Sequence, residues 1–188
     1  MNLDLNCAND YLRETVHAIS NLDQSKLREI ANQLGKLQDN DGILWVAGNG
    51  GSASTGAHLA CDVGKGIASA METPMRTLSL NEQTVTQSAW ANDFGFEYAL
   101  MNQLRNLARP QDGLLVISGS GNSVNLVNVA RWAQERGLHV ISLLGANGGR
   151  ISDYTTLELR VSSTDQQVVE NTHLVIVHWL FKAMTRAI

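Results

Sequence analysis

The sequence predicts a doubly wound α/β fold: about five parallel strands covered by helices on both faces, with a helical pair at the N-terminus. Three observations carry this. Short apolar runs of strand length recur between helical patterns, as in "GILWVAG" (residues 42–48), "GLLVIS" (113–118) and "HVISLLG" (139–145). Strands apolar on both faces belong to a parallel sheet buried on two sides. The first two runs also end in glycine- and serine-rich loops that open helices, and both prolines, Pro74 and Pro110, fall between periodic segments, where chain breaks belong.

Taken in order, Tyr11, Leu12, Val16, Ile19 and Leu22 form one apolar helical stripe. Asp23 is placed to cap a second helix carrying Leu27, Ile30, Leu34 and Leu37. The first strand then leads into a helix through His58 and Asp62, and "RTLSL" (76–80) supplies a second strand. Helical patterns follow around Thr84–Ala91 and Tyr98–Leu107. The third strand, 113–118, precedes a helix over about 123–136, with Gly137 as its stop. Strands at 139–145 and 155–161 and a closing helix over about 166–187 complete the chain. One domain is expected, with residues 1–40 as the helical pair and 41–188 as the α/β sandwich.

Composition excludes several function classes. Of the 188 residues 44% are hydrophobic, enough for a packed core. The formal net charge of -4, with no run of Lys or Arg, argues against nucleic acid, whose phosphates demand a basic footprint. Cys7 and Cys61 are too few for a disulfide framework or a zinc knuckle. The opening residues lack the basic and apolar regions of a signal peptide, and no apolar segment approaches a membrane span. A soluble, cytoplasmic protein with no membrane or nucleic-acid partner is expected.

In a doubly wound sheet, ligands sit beyond the carboxyl ends of the strands where strand order reverses. Two loops fall there. The first, "GNGGSAST" (48–55), offers Asn49, Gly50, Gly51 and Ser52; its glycines let backbone N–H groups approach an anion at a helix N-terminus. It lacks the spacing of a dinucleotide fingerprint and the Gly-Lys-Ser/Thr of a Walker loop, so no nucleotide cofactor is expected. The second, "SGSGNS" (118–123), offers Ser118, Gly119, Ser120 and Ser123. Such turns also arise from ordinary Ser N-caps, but two of them on one sheet point to a phosphate held by neutral donors.

His58 and Asp62 lie four apart on one helix and share a face. That pairing suits a metal, an acid/base pair or a plain polar stripe. On the last helix, "VVENTHLVIVHWLF" brings Glu170, His173 and His178. His173 and His178 point about 140° apart and cannot both address one small ligand, whereas Glu170 and His178 lie two turns apart on a related face. His178 sits among apolar neighbours, where a core histidine is the commoner outcome. The apolar stretch Leu174–Phe181 exceeds what a monomer should expose, and burial between subunits is expected.

Together, "GNGGSAS…H…D", "ANDFGFEY", "VISGSGNSVNLVNVARWAQERGLHVISLLGANGG" and "ENTHLVIVH" resemble the sugar isomerase (SIS) domain, and within it the bacterial phosphoheptose isomerases. The resemblance covers nearly the whole chain. It implies a flavodoxin-like sheet, a homotetramer with active sites at subunit boundaries, and interconversion of sedoheptulose 7-phosphate with D-glycero-D-manno-heptose 7-phosphate through an enediol. The family's phosphate site falls on Ser118, Ser120 and Ser123, with Asn49 and Ser52 from the first loop. Asp93 matches a residue that holds sugar hydroxyls, Asp62 the catalytic base and His178 its partner. A zinc ion, which some members hold, would fall on His58, Asp62, Glu170 and His178.

Departures from the family pattern accompany the match. Asp62 replaces a usual Glu, and Glu170 replaces a usual amide in "VVEN" (168–171). Gly119 stands where a hydroxyl residue is usual, and the basic residue after the first carboxylate appears as Lys65, shifted by one position. In one reading Glu170 compensates for Asp62, joining it and two histidines in a neutral divalent site, with either carboxylate as base. In the other, the pocket is tuned to a different phosphosugar or serves a non-catalytic binding module of the kind that partners a replication initiator. Retention of both His58 and His178 favours the enzyme.

Overall fold

The computed structural model describes residues 5–67 and 75–185. Two helices, α1 (Leu5–Ser20) and α2 (Gln24–Asp39), precede the sheet. Asp23 begins α2 as expected: its carboxylate accepts from the backbone N–H groups of Ser25 and Lys26, donors that a first helical turn otherwise leaves unpaired. There follow β1 (Ile43–Ala47), α3 (Gly50–Asp62), β2 (Arg76–Ser79), α4 (Thr84–Phe94) and α5 (Phe96–Leu107). The chain continues through β3 (Gly113–Ser118), α6 (Val124–Glu135), β4 (His139–Leu144), β5 (Leu157–Arg160) and α7 (Gln166–Thr185). Beyond Asp62, α3 runs on into a π-helical turn over Val63–Ile67.

The five strands pair in parallel in the order β2-β1-β3-β4-β5. The chain leaves β1 outward to β2, then crosses back over β1 to β3. Strand order therefore reverses between β1 and β3, and a crevice opens beyond their carboxyl ends. The central strands β1, β3 and β4 are buried on both faces, whereas the edge strands β2 and β5 are partly exposed. Leu44, Val46, Leu115, Ile117, Ile141 and Leu143 join residues of α1, α2, α3 and α7 in one core. The alternate positions Trp45, Ala47, Leu114, Val116, Val140 and Leu144 pack with α5 and α6 in a second core, following the period of two along a strand.

At the opposite end of the sheet, Asp112 is 1% exposed. Its carboxylate accepts from the Ile43 N–H at 2.9 Å, the Trp45 indole N–H at 3.0 Å and the Arg109 N–H at 2.9 Å. Three donors satisfy a buried acceptor that would otherwise be costly. They also tie the start of β1 to the start of β3.

Some boundaries differ from those the sequence predicts. Leu80 leaves β2 for a 3-10 turn over Leu80–Glu82, because the Ser79 side chain accepts from Asn81 N–H and bends the chain there. β5 begins at Leu157 rather than Thr155, whose hydroxyl donates to the Ile151 carbonyl at 2.9 Å and closes the preceding turn. The break at Pro74 and the helix end at Ala187 lie outside the described residues. No helix among the described residues is long and apolar enough to cross a membrane.

Candidate active site

Both loops singled out in the sequence emerge at the crevice. Asn49 occupies the N-cap position of α3, yet its side chain makes no capping bond. It instead exchanges two hydrogen bonds with Asn125 of α6: Nδ2 donates to Asn125 Oδ1 at 2.9 Å and Oδ1 accepts from Asn125 Nδ2 at 2.8 Å. The first loop is thus fastened to the helix that follows the second. In the second loop, Ser118 Oγ accepts from Gly121 N–H at 3.1 Å and Ser120 Oγ from Asn122 N–H at 3.2 Å, so each hydroxyl keeps its own hydrogen to donate. Ser123 opens α6 without a side-chain cap bond. Gly121 has φ +64, and a Cβ there would run into the Gly148 carbonyl, so only glycine lets this loop fold back.

Between the loops lies a cavity of about 90 Å³ lined by Asn49, Ser52, Ser118, Gly119, Ser120, Ser123 and Gln166, over Ile117 and Leu126. Neither Lys nor Arg lines it. Hydroxyl and amide donors, with the N-termini of α3 and α6, are what it offers an oxyanion. The phosphate-loop residues named from the sequence therefore meet in space. Gly50 and Gly51 form the first turn of α3, and a Cβ on Gly51 would collide with the Glu170 carboxylate.

Farther along α3, His58 and Asp62 meet His178 of α7. His58 Nε2 lies 2.8 Å from His178 Nε2 and 3.2 Å from Asp62 Oδ2, which is 3.9 Å from His178 Nε2. The rings meet edge to face, with centroids 4.9 Å apart. A nitrogen–nitrogen contact this short is a hydrogen bond in which one ring supplies the proton and the other the lone pair. The same donor set fits a divalent ion: two imidazole nitrogens and a carboxylate oxygen lie within 4.8 Å of one another. Two His and one carboxylate, with room for water or substrate, is a known catalytic zinc arrangement. The side chains are open to solvent, His58 at 46% and His178 at 48%.

A family model for the SIS domain matches residues 9–145. The phosphoheptose isomerase of Rhodospirillum rubrum is 35% identical over 139 residues, covering 74% of this chain and 73% of that one. The chain belongs to the SIS-domain family of phosphoheptose isomerases. The enzyme of that name from Helicobacter pylori is 31% identical over 163 residues, covering 87% of this chain and 84% of that one. The solved phosphoheptose isomerase of Francisella tularensis is 26% identical and superposes with a TM-score of 0.89 over 97% of this chain and 98% of that one.

Against the family pattern, two candidates lie apart from the groups above. Glu170, expected as a fourth metal ligand, does not belong to the group formed by His58, Asp62 and His178. It sits two helical turns before His178, against Gly51, and accepts from Gln166 Nε2 at 2.9 Å. The charge-balanced four-residue set read from the sequence is therefore not assembled here. Asp93 is exposed near the end of α4, holding a 2.8 Å hydrogen bond from Asn92 Nδ2, and does not line the cavity between the loops.

His173 separates from His178 as the helical angle requires. It is fully buried, neither ring nitrogen makes a hydrogen bond, and burial pushes its pKa down to about 4 against a smaller opposing effect of the Leu144 carbonyl. It is a neutral core residue. Sequence reasoning missed Asn125 and Gln166. The first is marked only by its place in the first turn of the helix after a Ser-rich loop, and the second only by its place at the head of α7.

Proposed function

We propose that the protein isomerises sedoheptulose 7-phosphate to D-glycero-D-manno-heptose 7-phosphate. The observation that supports this reading is the disposition of α3 and α7. They lie side by side in the same direction, Glu170 against Gly51 and, two turns on, His178 against His58. Gln166 at the head of α7 lines the loop cavity, so an oxyanion pocket and an acid/base cluster stand at two levels of one helix pair. Glu170 and His178 are separated by about 12 Å of helix. A seven-carbon chain with a terminal phosphate spans about 10 Å when extended, from C–C bonds of about 1.5 Å. A triose phosphate held by the same pocket would fall well short.

In this reading Ser118, Ser120, Ser123, Asn49 and Ser52 hold the phosphate, and the sugar lies along the crevice with C1 and C2 at the cluster. Asp62 removes a proton from C1 of the ketose while His178 delivers one to O2, giving the enediol. Return of the carbon proton to C2, with loss of the O1 proton to the imidazole, gives the aldose, so atoms balance without a redox partner. Asp62, rather than Glu170, takes the role of base because it lies with both histidines. A zinc ion held by His58, Asp62 and His178 would polarise the carbonyl oxygen and stabilise negative charge on the enediolate.

The exposure of the cluster supports assembly in which another copy covers it, and the homotetramer implied by the resemblance is proposed here, in the cytoplasm. Proton NMR in deuterated buffer tests the activity directly, with zinc or with EDTA. Deuterium incorporation beside the carbonyl together with an aldose signal is expected, and loss with EDTA would assign the metal. Binding of the phosphosugar with no exchange under either condition would leave a different phosphosugar or the binding module.

A further inference from the structure

We infer that Gln166 is a positioning residue for the phosphoryl group, and that Glu170 acts on the substrate through it by holding the Gln166 amide with its nitrogen turned to the cavity. The inference rests on the reading of the loop cavity as a phosphate site. Three contacts form a line across the crevice. The Gln166 amide covers Gly119, so a Cβ at residue 119 would collide with it. Gln166 Nε2 donates to Glu170 Oε1 at 2.9 Å. The other oxygen of Glu170 lies over Gly51, where a Cβ would collide in turn. The head of α7 therefore touches both loops, one through each side chain.

An amide nitrogen carries two hydrogens. One goes to Glu170, and the other remains for an anion in the 90 Å³ cavity that Gln166 helps to line. Without the carboxylate beside it, the amide could present its oxygen, an acceptor that repels phosphate. Glu170 removes that choice, since a carboxylate accepts and cannot donate. The Gln166 amide also fills the space that a side chain at residue 119 would occupy, with both Oε1 and Nε2 against it. Gln166 further lines a second cavity of about 250 Å³ with Asn122, Asn147, Ser163 and Thr164, and with Gly119 and Ser120 it borders both cavities.

Gln166 is exposed and its bond to Glu170 is a one-turn helical pair, which contributes only weakly to helix stability. A structural role and a positioning role therefore predict different outcomes. The test compares wild type with Q166M, which keeps the bulk and loses the donor, and with the exchanged pair Q166E/E170Q. The exchange preserves a donor–acceptor pair but turns a carboxylate toward the phosphate. Titration with inorganic phosphate gives an affinity without turnover, titration with sedoheptulose 7-phosphate gives the apparent affinity for the sugar phosphate at equilibrium, and steady-state kinetics give KM and kcat separately.

Expected for Q166M are a Kd and a KM raised about tenfold, as for a lost hydrogen bond to a charged group, with kcat within about twofold. Expected for the exchanged pair is a larger loss of affinity than for Q166M, at an unchanged melting temperature. Affinities within twofold of wild type in both variants, or a loss that follows the melting temperature, would overturn the inference. Wild type that binds the sugar phosphate without converting it would sink the isomerase reading alone, because the affinities still test Gln166. Wild type that binds neither probe overturns both.

Discussion

Three serines and one aspartate carry separable parts of the proposed reaction, and single substitutions should separate them. Ser118, Ser120 and Ser123 surround a cavity without a cation, so each hydroxyl's share of an oxyanion is large. S120A is expected to raise KM about tenfold with kcat little changed, read from initial rates. Asp62 lies instead with the histidines, and D62N should lower kcat by about 10² to 10⁴ while leaving phosphate affinity intact. His173 offers a pH test unrelated to catalysis. Its pKa falls from the ordinary 6.5 to about 4 on burial, so above pH 6.5 both folded and unfolded chains are neutral there and nothing is lost. As pH falls from 6.5 toward 4 the unfolded chain takes the proton first, and stability drops by up to about 3 kcal/mol. H173L should flatten that decline in urea melts at pH 5 against pH 7. The sequence showed these roles unevenly. The serines and the His58–Asp62 pair were visible from local spacing. The partnership of His178 with them was visible only through the family likeness, because its apolar neighbours on α7 hide it. Gln166 left no sign, since its importance comes from Gly119, far away in the chain.

At the scale of elements, the central strands were legible because they are buried on both faces and read as unbroken apolar runs, as in β3 and β4. Boundaries set by side-chain bonds to the backbone were not, as Ser79 and Thr155 illustrate. The π-turn over Val63–Ile67 had no mark in the sequence either. Glycine substitutions should distinguish two kinds of close approach at the crevice. In G51A the added methyl meets the far end of the flexible Glu170 side chain, so the fold should survive with Glu170 displaced and KM raised. In G121A it meets the backbone carbonyl of Gly148 at a positive φ, and a loss of about 2 kcal/mol or more is expected. Thermal melts of the two variants, run beside KM measurements, check the contrast.

For the whole molecule, the single chain leaves surface that water does not favour. None of the residues of α4 is buried, and Val85, Phe94 and Phe96 are exposed at 82%, 58% and 54%, as are Leu12 and Val16 on α1. A helix with no buried face gains little from folding alone. Sedimentation velocity should therefore return a multimer, with a tetramer expected. A V16D substitution should shift it toward smaller species and reduce activity at low protein concentration, whereas a monomeric wild type would remove the proposed shared site. Asp112 shows how the fold governs the spacing within each copy. Because β1 and β3 deliver the two loops, the gap between Asn49 and the serines depends on the alignment of one strand against the other. A slip of a single residue would displace a loop by about 3.3 Å, more than the length of the hydrogen bonds that would hold a phosphate, and would send inward-facing side chains to the opposite face. Asp112 guards against this error from the far end of the sheet. A variant there would damage ligand binding without touching the ligand, so a search for functional positions confined to the crevice would overlook it.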